Sequence, residues 1–494
     1  MSDLKQLART IFHQALADCS IARSLDRVLR TTSNAAGANL ILDGCDPVRL
    51  DQLKRVRILS IGKAGSTALD ALLSRLPLPP SCDVRGVLIA PSPPPNLPAA
   101  IQFFPGGHPL PNQTSFDGAT AALAMLRAVA DAPPNETLCI FLISGGASAM
   151  MELPLDAAIS LEDTVAFHRT LVASGATIVE MNCVRKHFSA VKGGRLAVAA
   201  GRAQHISLLI SDVPPTHLDA LASGPTLPDS TSVAQCHAVI ARYHLLTQFP
   251  PAVSRFFASP NLPETPKPGE LHSPCCTLLD AEVFAECART SAVSLGFHTV
   301  VDNTCDDWPC DAAADHLLDH LRLLRREHSR ICLISTGEVS VKLPHPSGAG
   351  GRNQHLALYL AAKLQPADAP IAILSAGSDG IDGNSPAAGA VIDNHTLAEE
   401  SQRIAAQQAL AAFDSYSLLN SLNATIVTGP TGHNLRDLRI LLADARANFP
   451  DVQIVFTGRT PDPYQPSSQG RTPDPYQPSS QGRRPEIYQP RPKA

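Results

Sequence analysis

Six short runs of β-branched and aliphatic residues stop abruptly at clusters of Gly, Ser, Thr or Asp. Ile58-Leu59-Ser60-Ile61 runs into Gly62-Lys63-Ala64-Gly65, and Ile140-Phe141-Leu142-Ile143 into Ser144-Gly145-Gly146-Ala147-Ser148. Leu208-Leu209-Ile210 meets Ser211-Asp212-Val213-Pro214, and Leu333-Ile334 meets Ser335-Thr336-Gly337-Glu338. The last two are Ile371-Ala372-Ile373-Leu374 before Ser375 to Gly380, and Thr425-Ile426-Val427 before Thr428 to Gly432. Continuous apolar runs of this length predict strands buried on both faces, as in a parallel sheet. Open α/β sheets bind ligands beyond the carboxyl ends of their strands, where glycine lets backbone amides approach an anion. The pattern therefore predicts an α/β enzyme that handles phosphate or another small anion.

Helical periodicity fills the intervals. A helix is expected near 3–30, others after Gly65 and at 115–130, and helical stretches over 149–198. Strands are expected at 56–61, 84–90, 138–143 and 206–210, so βαβ units and a mainly parallel sheet make up a first domain over 1–247. Residues 248–274 are rich in proline and read as a linker. A second α/β domain over 275–457 opens with strand, helix, strand at 277–302. It continues with a charged helix near 311–328, strands at 331, 371 and 425, and helices at 353–363 and 396–412. Residues 458–494 carry the unit RTPDPYQPSSQG twice, at 459–470 and 471–482, with a degenerate third copy. Such Pro-, Ser- and Gln-rich repeats bury too little apolar surface to offset ordering, so the tail is expected to be disordered.

Composition narrows the class. A chain of 494 residues exceeds one ordinary core, and 44% hydrophobic with 17% charged residues is a normal globular balance. A formal charge of −5 gives no general attraction for nucleic acid or acidic membranes. No apolar stretch reaches the roughly 20 residues of a bilayer span, and the amphipathic first helix, with Asp3, Asp18 and Asp26, lacks the apolar core and cleavage site of a targeting segment. The chain reads as cytoplasmic. Its 12 cysteines are scattered, and no Cys-x-x-Cys pair or Cys/His spacing suggests zinc.

Several segments carry chemistry. Lys63 lies between a strand end and a helix, where its ammonium could stand beside a bound anion. Neither a Walker A loop nor a dinucleotide fingerprint is present at that strand end. Ser144, Gly145, Gly146 and Ser148 offer amides and hydroxyls for a carboxylate or phosphate. Arg185 and Lys192, seven apart, would share one helical face for an anionic substrate. Asp212, Glu338, Asp379 and Asp382 fall at strand ends, where carboxylates suit Mg²⁺ shared with phosphates. In Gly350-Gly351-Arg352-Asn353, Arg352 puts a planar charged fork next to an amide-rich turn. His108, His187 and His433 have no triad or metal-ligand spacing.

Taken together these segments resemble the glycerate 2-kinase family, whose second half is the MOFRL domain. The matching stretches include Ile61-Gly62-Lys63-Ala64-Gly65, Ile143-Ser144-Gly145-Gly146 and Val184-Arg185-Lys186-His187 through Lys192-Gly193-Gly194-Arg195. Ser211-Asp212-Val213-Pro214, Ala222-Ser223-Gly224-Pro225-Thr226, Gly350-Gly351-Arg352-Asn353-Gln354, Ser375 to Gly380 and Thr428 to Gly432 follow in the family's order. Departures include Ala147, Pro215-Thr216-His217, Asn384, His433 and Arg436. The resemblance implies a Rossmann-like first domain, a MOFRL-type second domain and a site in the cleft between them. It implies transfer of the ATP γ-phosphoryl group to the 2-hydroxyl of D-glycerate, with ATP and Mg²⁺ as cofactors. Lys63 and Arg352 would be catalytic and Asp212 and Asp379 metal ligands. Gly62, Gly65, Ser144, Gly145, Gly146, Ser148, Arg185, Lys192, Glu338 and Asn353 would hold substrate or nucleotide. Small molecules would be its partners, with homo-oligomerisation left open. An NAD(P)H-dependent hydroxypyruvate reductase and a non-catalytic sugar-acid sensor are the alternatives.

Overall fold

The computed structural model describes residues 3–34, 37–344, 346–432 and 434–444. The repeat tail and His433 lie outside the described residues. A small antiparallel meander comes first: β1 (Leu29–Asn34), β2 (Gly37–Leu42) and β3 (Val48–Arg49). The first large sheet then takes β4 (Arg55–Ile61), β5 (Asp83–Ala90), β6 (Ile101–Pro105), β7 (Thr137–Ser144), β8 (Gln204–Ile210) and β9 (Cys275–Leu279). Its order is β6-β5-β4-β7-β8-β9, every pair parallel. This is the doubly wound Rossmann order, in which strand direction of travel reverses between β4 and β7. All eight residues of β7 are buried, as a central parallel strand covered on both faces requires.

The second sheet holds β10 (His298–Val301), β11 (Ile331–Gly337), β12 (Ile371–Gly377), β13 (Gly389–Asp393), β14 (Thr425–Ile426) and β15 (Asp437–Ala443). Its order is β10-β11-β15-β12-β13-β14. Only β10 and β11 pair in parallel; β15 runs antiparallel to both β11 and β12. The parallel reading of the apolar runs thus applies to the first sheet, whereas the second is mixed. An apolar run reports burial on both faces, and that condition does not specify strand direction.

The division by chain position does not coincide with the sheets. β9 begins at residue 275, where a second domain was expected, yet it is the edge strand of the first sheet, paired with β8. The expected helix over 3–30 breaks at Cys19 and Ser20 into Leu4–Asp18 and Ile21–Val28, capped by the side chains of Asp3 and Ser20. The first of these packs on the second sheet, not the first. Phe12 meets Phe284 with ring centroids 6.2 Å apart, and Arg9 donates to the Thr425 carbonyl at 3.2 Å. Leu4, Ala8, Ile11, Phe12 and Ala15 join Phe284, Leu374 and Ile440 in one apolar cluster that also contains Ile58 and Leu142 of the first sheet. The two lobes therefore share a continuous core. Among the described residues no helix is long and apolar enough to cross a membrane.

Candidate active site

The switch point between β4 and β7 is closed by contacts that demand glycine. Gly62 has φ +110°, and a Cβ there would lie 2.3 Å from Ser144 Oγ. Lys63 N–H donates to the Gly145 carbonyl at 2.9 Å, and Ala64 N–H donates to Ser144 Oγ at 3.1 Å. Ser144 Oγ in turn donates to the Ile61 carbonyl. The Ser144 hydroxyl is therefore buried and used to join the two strand ends, not offered to a ligand. Gly65 starts the helix Gly65–Leu73, and its carbonyl accepts from Ser60 Oγ. Gly146, at φ +82°, lies against the Lys63 side chain and the His108 ring, so a side chain there would be strained by the backbone and would press on both neighbours. The Lys63 side chain is exposed.

Beside it lies a cavity of about 180 Å³ lined by His108, Gly146, Ser148, His168 and Arg185 among others. Ser148 Oγ is 3.0 Å from Ser223 Oγ, which donates to Asn182 Oδ1, and Arg185 Nη1 also donates to that oxygen. Ala222 and Ser223 both adopt positive φ, +53° and +60°, which L residues rarely take outside constrained sites. Arg185 Nε is buried and makes no hydrogen bond, and among the described residues no carboxylate pairs with this guanidinium. Burial lowers its pKa, opposed by Glu152. A guanidinium without a paired carboxylate beside a polar cavity has N–H groups that can receive an anion.

Lys192 differs from expectation. The helix Ile178–Phe188 ends at Ser189, so Lys192 shares no helical face with Arg185. Lys192 Nζ is buried and donates to Glu152 Oε2 at 2.7 Å, while His168 Nε2 lies 2.9 Å from the same oxygen. Burial alone would raise the Glu152 pKa, but Lys192 and His168 hold it at about 2. Lys192 Nζ also donates to the Met151 carbonyl, so two of its three N–H groups are spent inside the core, and its burial keeps it away from the cavity.

Across the cleft, the helix Arg352–Lys363 begins with Arg352. Its Nε and Nη2 donate to the two oxygens of Asp437 at 2.6 and 3.1 Å, and Nη1 donates to Glu338 Oε2 at 2.8 Å. Three of its five N–H groups are so engaged. Burial would lower its pKa, but the two carboxylates raise it well above the ordinary value. Glu338 is pushed up by burial and by Asp437, and pulled back by Arg352 and Arg436. Arg436 grips Asp306 through Nη1 and Nη2.

Asp212, at the end of β8, meets this second group directly: Asn434 Nδ2 donates to its Oδ2 at 3.1 Å. Burial raises the Asp212 pKa, against the fields of Lys63 and Arg436 and the Asn434 amide. Gly145 must lack a side chain here, since its Cβ would lie 2.7 Å from Asp212 Oδ2. Asp379 sits on the adjoining loop, its Oδ1 accepting from Ile381 N–H and its carbonyl accepting from Thr431 N–H. Polar charge thus runs from Lys63 through Asp212 and Arg436 to Glu338 and Arg352.

Asn353 does not face the cleft. It is buried, its amide donates to Asp382 Oδ1, and its Oδ1 accepts from Ser375 Oγ at 2.6 Å. Asp382 likewise accepts from the backbone of Asn353 and Gln354, fixing the helix start that carries Arg352. Sequence reading missed Glu152, His168, Asn182, Ser223, Asp306, Asn434 and Asp437 as parts of the site. Ser223 lay inside a matched segment, Asn182 two residues before one, and Asn434 and Asp437 beyond the end of the last; Glu152, His168 and Asp306 had no local pattern at all.

Two family models match the chain. One, described as a domain of unknown function (DUF4147), matches residues 7–258, and the MOFRL family matches residues 331–437. A putative hydroxypyruvate reductase of Agrobacterium vitis is 34% identical over 359 residues, which span 69% of this chain and 77% of the relative. The D-glycerate 2-kinase of Thermotoga maritima is 33% identical over 348 residues, spanning 69% of this chain and 79% of the relative. The crystal structure of a Thermotoga maritima glycerate kinase matches with a TM-score of 0.73 at 29% identity, covering 89% of this chain and 99% of that one.

Proposed function

We propose, from the premise that this chain belongs to the glycerate kinase family, that its cleft transfers the γ-phosphoryl group of ATP to the 2-hydroxyl of D-glycerate. The enzyme is a kinase of the glycerate 2-kinase type. The observation that carries the acceptor class is Arg185, a guanidinium with a buried, unbonded Nε beside a small polar cavity next to Lys63. It suits the carboxylate of a small hydroxy acid, with Ser148 and His108 available to its hydroxyls.

In the transfer, the 2-hydroxyl of glycerate gives up its proton to solvent and its oxygen bonds to the γ-phosphorus as the bond to the β-bridging oxygen breaks, and ADP leaves. Such transfer is chiefly positioning and charge neutralisation. Lys63, exposed at the switch point, faces the incoming phosphates. Arg352 has two N–H groups beyond those bound to Asp437 and Glu338, and its side chain is 28% exposed, so it can meet the transferring group while its acidic partners fix its plane. Asp212 and Asp379 supply oxygen donors only, the set that Mg²⁺ takes through one or two carboxylates together with phosphate oxygens. Mg²⁺ held there would neutralise charge on the phosphates. Phosphorus NMR of the product formed from ATP, Mg²⁺ and D-glycerate tests the reading; 2-phosphoglycerate supports it, and 3-phosphoglycerate or no product overturns it.

A second reading is favoured by the Rossmann strand order and by the name of the Agrobacterium relative: reduction of hydroxypyruvate by NAD(P)H. The bend after β4 lacks the Gly-x-Gly-x-x-Gly fingerprint and carries Lys63 instead. Loss of NADH absorbance with hydroxypyruvate would decide for it.

A further inference from the structure

A second cluster of ligating groups lies at the outer end of the second sheet. Asp302 follows β10, and its N–H donates to the Ile334 carbonyl at 2.8 Å. Its Oδ1 accepts from Thr304 N–H at 3.0 Å and from Thr304 Oγ1 at 2.7 Å. Its Oδ2 faces two imidazoles, His316 Nε2 at 2.9 Å and His320 Nδ1 at 2.6 Å. Both histidines stand on the helix Cys310–Leu324, four residues apart and hence on one face. The three ligand atoms lie within 4.8 Å of one another. Nothing in the phosphoryl-transfer reading uses them. In the sequence they show only as a His-x-x-x-His pair on a helix, since the third ligand comes from another element and no cysteine takes part.

We propose that Asp302, His316 and His320 bind one divalent transition-metal ion of the zinc class, with water completing its shell. Two imidazole nitrogens and one carboxylate are a donor set that zinc accepts, leaving a further position open. Bonds of roughly 2.0–2.1 Å in tetrahedral geometry put ligand atoms about 3.3 Å apart, so the observed spacing needs only small side-chain shifts. Thr304 already holds the other carboxylate oxygen, which orients Asp302 towards the ion. The ion would tie the helix to the loop 302–308. That loop grips the cleft: Asn303 Oδ1 accepts from Thr336 N–H, Asp306 Oδ1 accepts from Glu338 N–H, and Asp306 pairs with Arg436. Metal binding therefore steadies the loop beneath Arg436; this consequence rests on the kinase reading, whereas the binding itself does not.

Trp308, the chain's single tryptophan, lies edge-on to His316 with ring centroids 5.4 Å apart, so its emission reports on the site. The full-length chain is stripped with chelator, dialysed, and titrated with Zn²⁺ by calorimetry and by Trp308 fluorescence. The expected result is one tight equivalent with a change in emission and a raised melting temperature. His320→Ala and Asp302→Asn should each weaken that equivalent at least 100-fold, with circular dichroism checking that they fold. His316→Gln gives a third variant should one of these fail to fold. Asp212→Asn should retain the equivalent, which separates the site from the cleft. Unchanged binding in folded variants, or no binding by the parent chain, overturns the proposal whatever the outcome of the kinase assay.

Discussion

Asn434 reaches across the cleft to Asp212: its Nδ2 donates to Asp212 Oδ2 at 3.1 Å, joining the last glycine loop of the second lobe to the end of β8. A hydrogen bond to a charged group contributes about 1.5–3 kcal/mol, and here it spans the two lobes beside the candidate site. Asn434→Ala should therefore lower kcat/KM about tenfold or more, with only a modest fall in melting temperature. Steady-state kinetics with saturating co-substrate measures it, and unchanged kcat/KM would show that this bridge plays no part.

Arg352 presents its fork to Asp437 and Glu338 in fixed orientation. Lysine keeps the charge but not the plane or the paired donors. Arg352→Lys should cut kcat about 10³-fold, the low end for an arginine that stabilises a transferring phosphoryl group. A variant that turns over near the parent rate would remove Arg352 from the chemistry.

On the proposed reading, Arg185 acts on acceptor binding and not on nucleotide binding. With no acidic partner, its charge is available to the substrate carboxylate, so Arg185→Gln should raise KM for glycerate about 10- to 100-fold. KM for ATP should stay within a factor of about two. An effect on ATP alone would reassign the cavity to the nucleotide.

Lys192 and Glu152 make a stability prediction. Lys192→Met leaves the buried Glu152 carboxylate without its cation, held only by His168 and the Leu153 N–H, and should cost about 3–5 kcal/mol in chemical denaturation. Adding Glu152→Gln should recover part of the loss, because the pair is coupled. A surface-like effect below about 1 kcal/mol would contradict the burial of this pair.

The same carboxylate sets an acid limb. Glu152 is held at about 2 against an ordinary 4.5, so its folded pKa is depressed. Its contribution is complete above pH 4.5 and disappears as the pH falls towards 2. Denaturation free energies measured across that interval should fall with decreasing pH in the parent chain. Glu152→Gln should have a flatter profile there, and parallel profiles would show that other groups govern acid unfolding.

Much of the first lobe was legible because its strands are uniformly apolar and end at glycine bends. Ile58 to Ile61, Ile140 to Ile143 and Leu208 to Ile210 all became central strands of the parallel sheet. β15 escaped notice, although it is central to the second sheet. Its run is interrupted by Arg439, a charged residue that reads as exposed. In the fold Arg439 is fully buried and donates to the Gly337 carbonyl and Ser335 Oγ. β9 and the first helix were assigned to lobes by their order in the chain, but packing placed each of them with the other lobe.

By itself the sequence determined where strands stop, which bends must be glycine, and which cations stand near those bends. These are properties of a few consecutive residues and of their backbone geometry. Only the tertiary structure decided which cations keep their charge available. Lys192 is neutralised by Glu152, Arg352 is framed by Asp437 and Glu338, and Arg185 is left without an acidic partner. The reason is that a charge is neutralised by groups within a few ångströms in space, and distance along the chain says nothing of which groups those are.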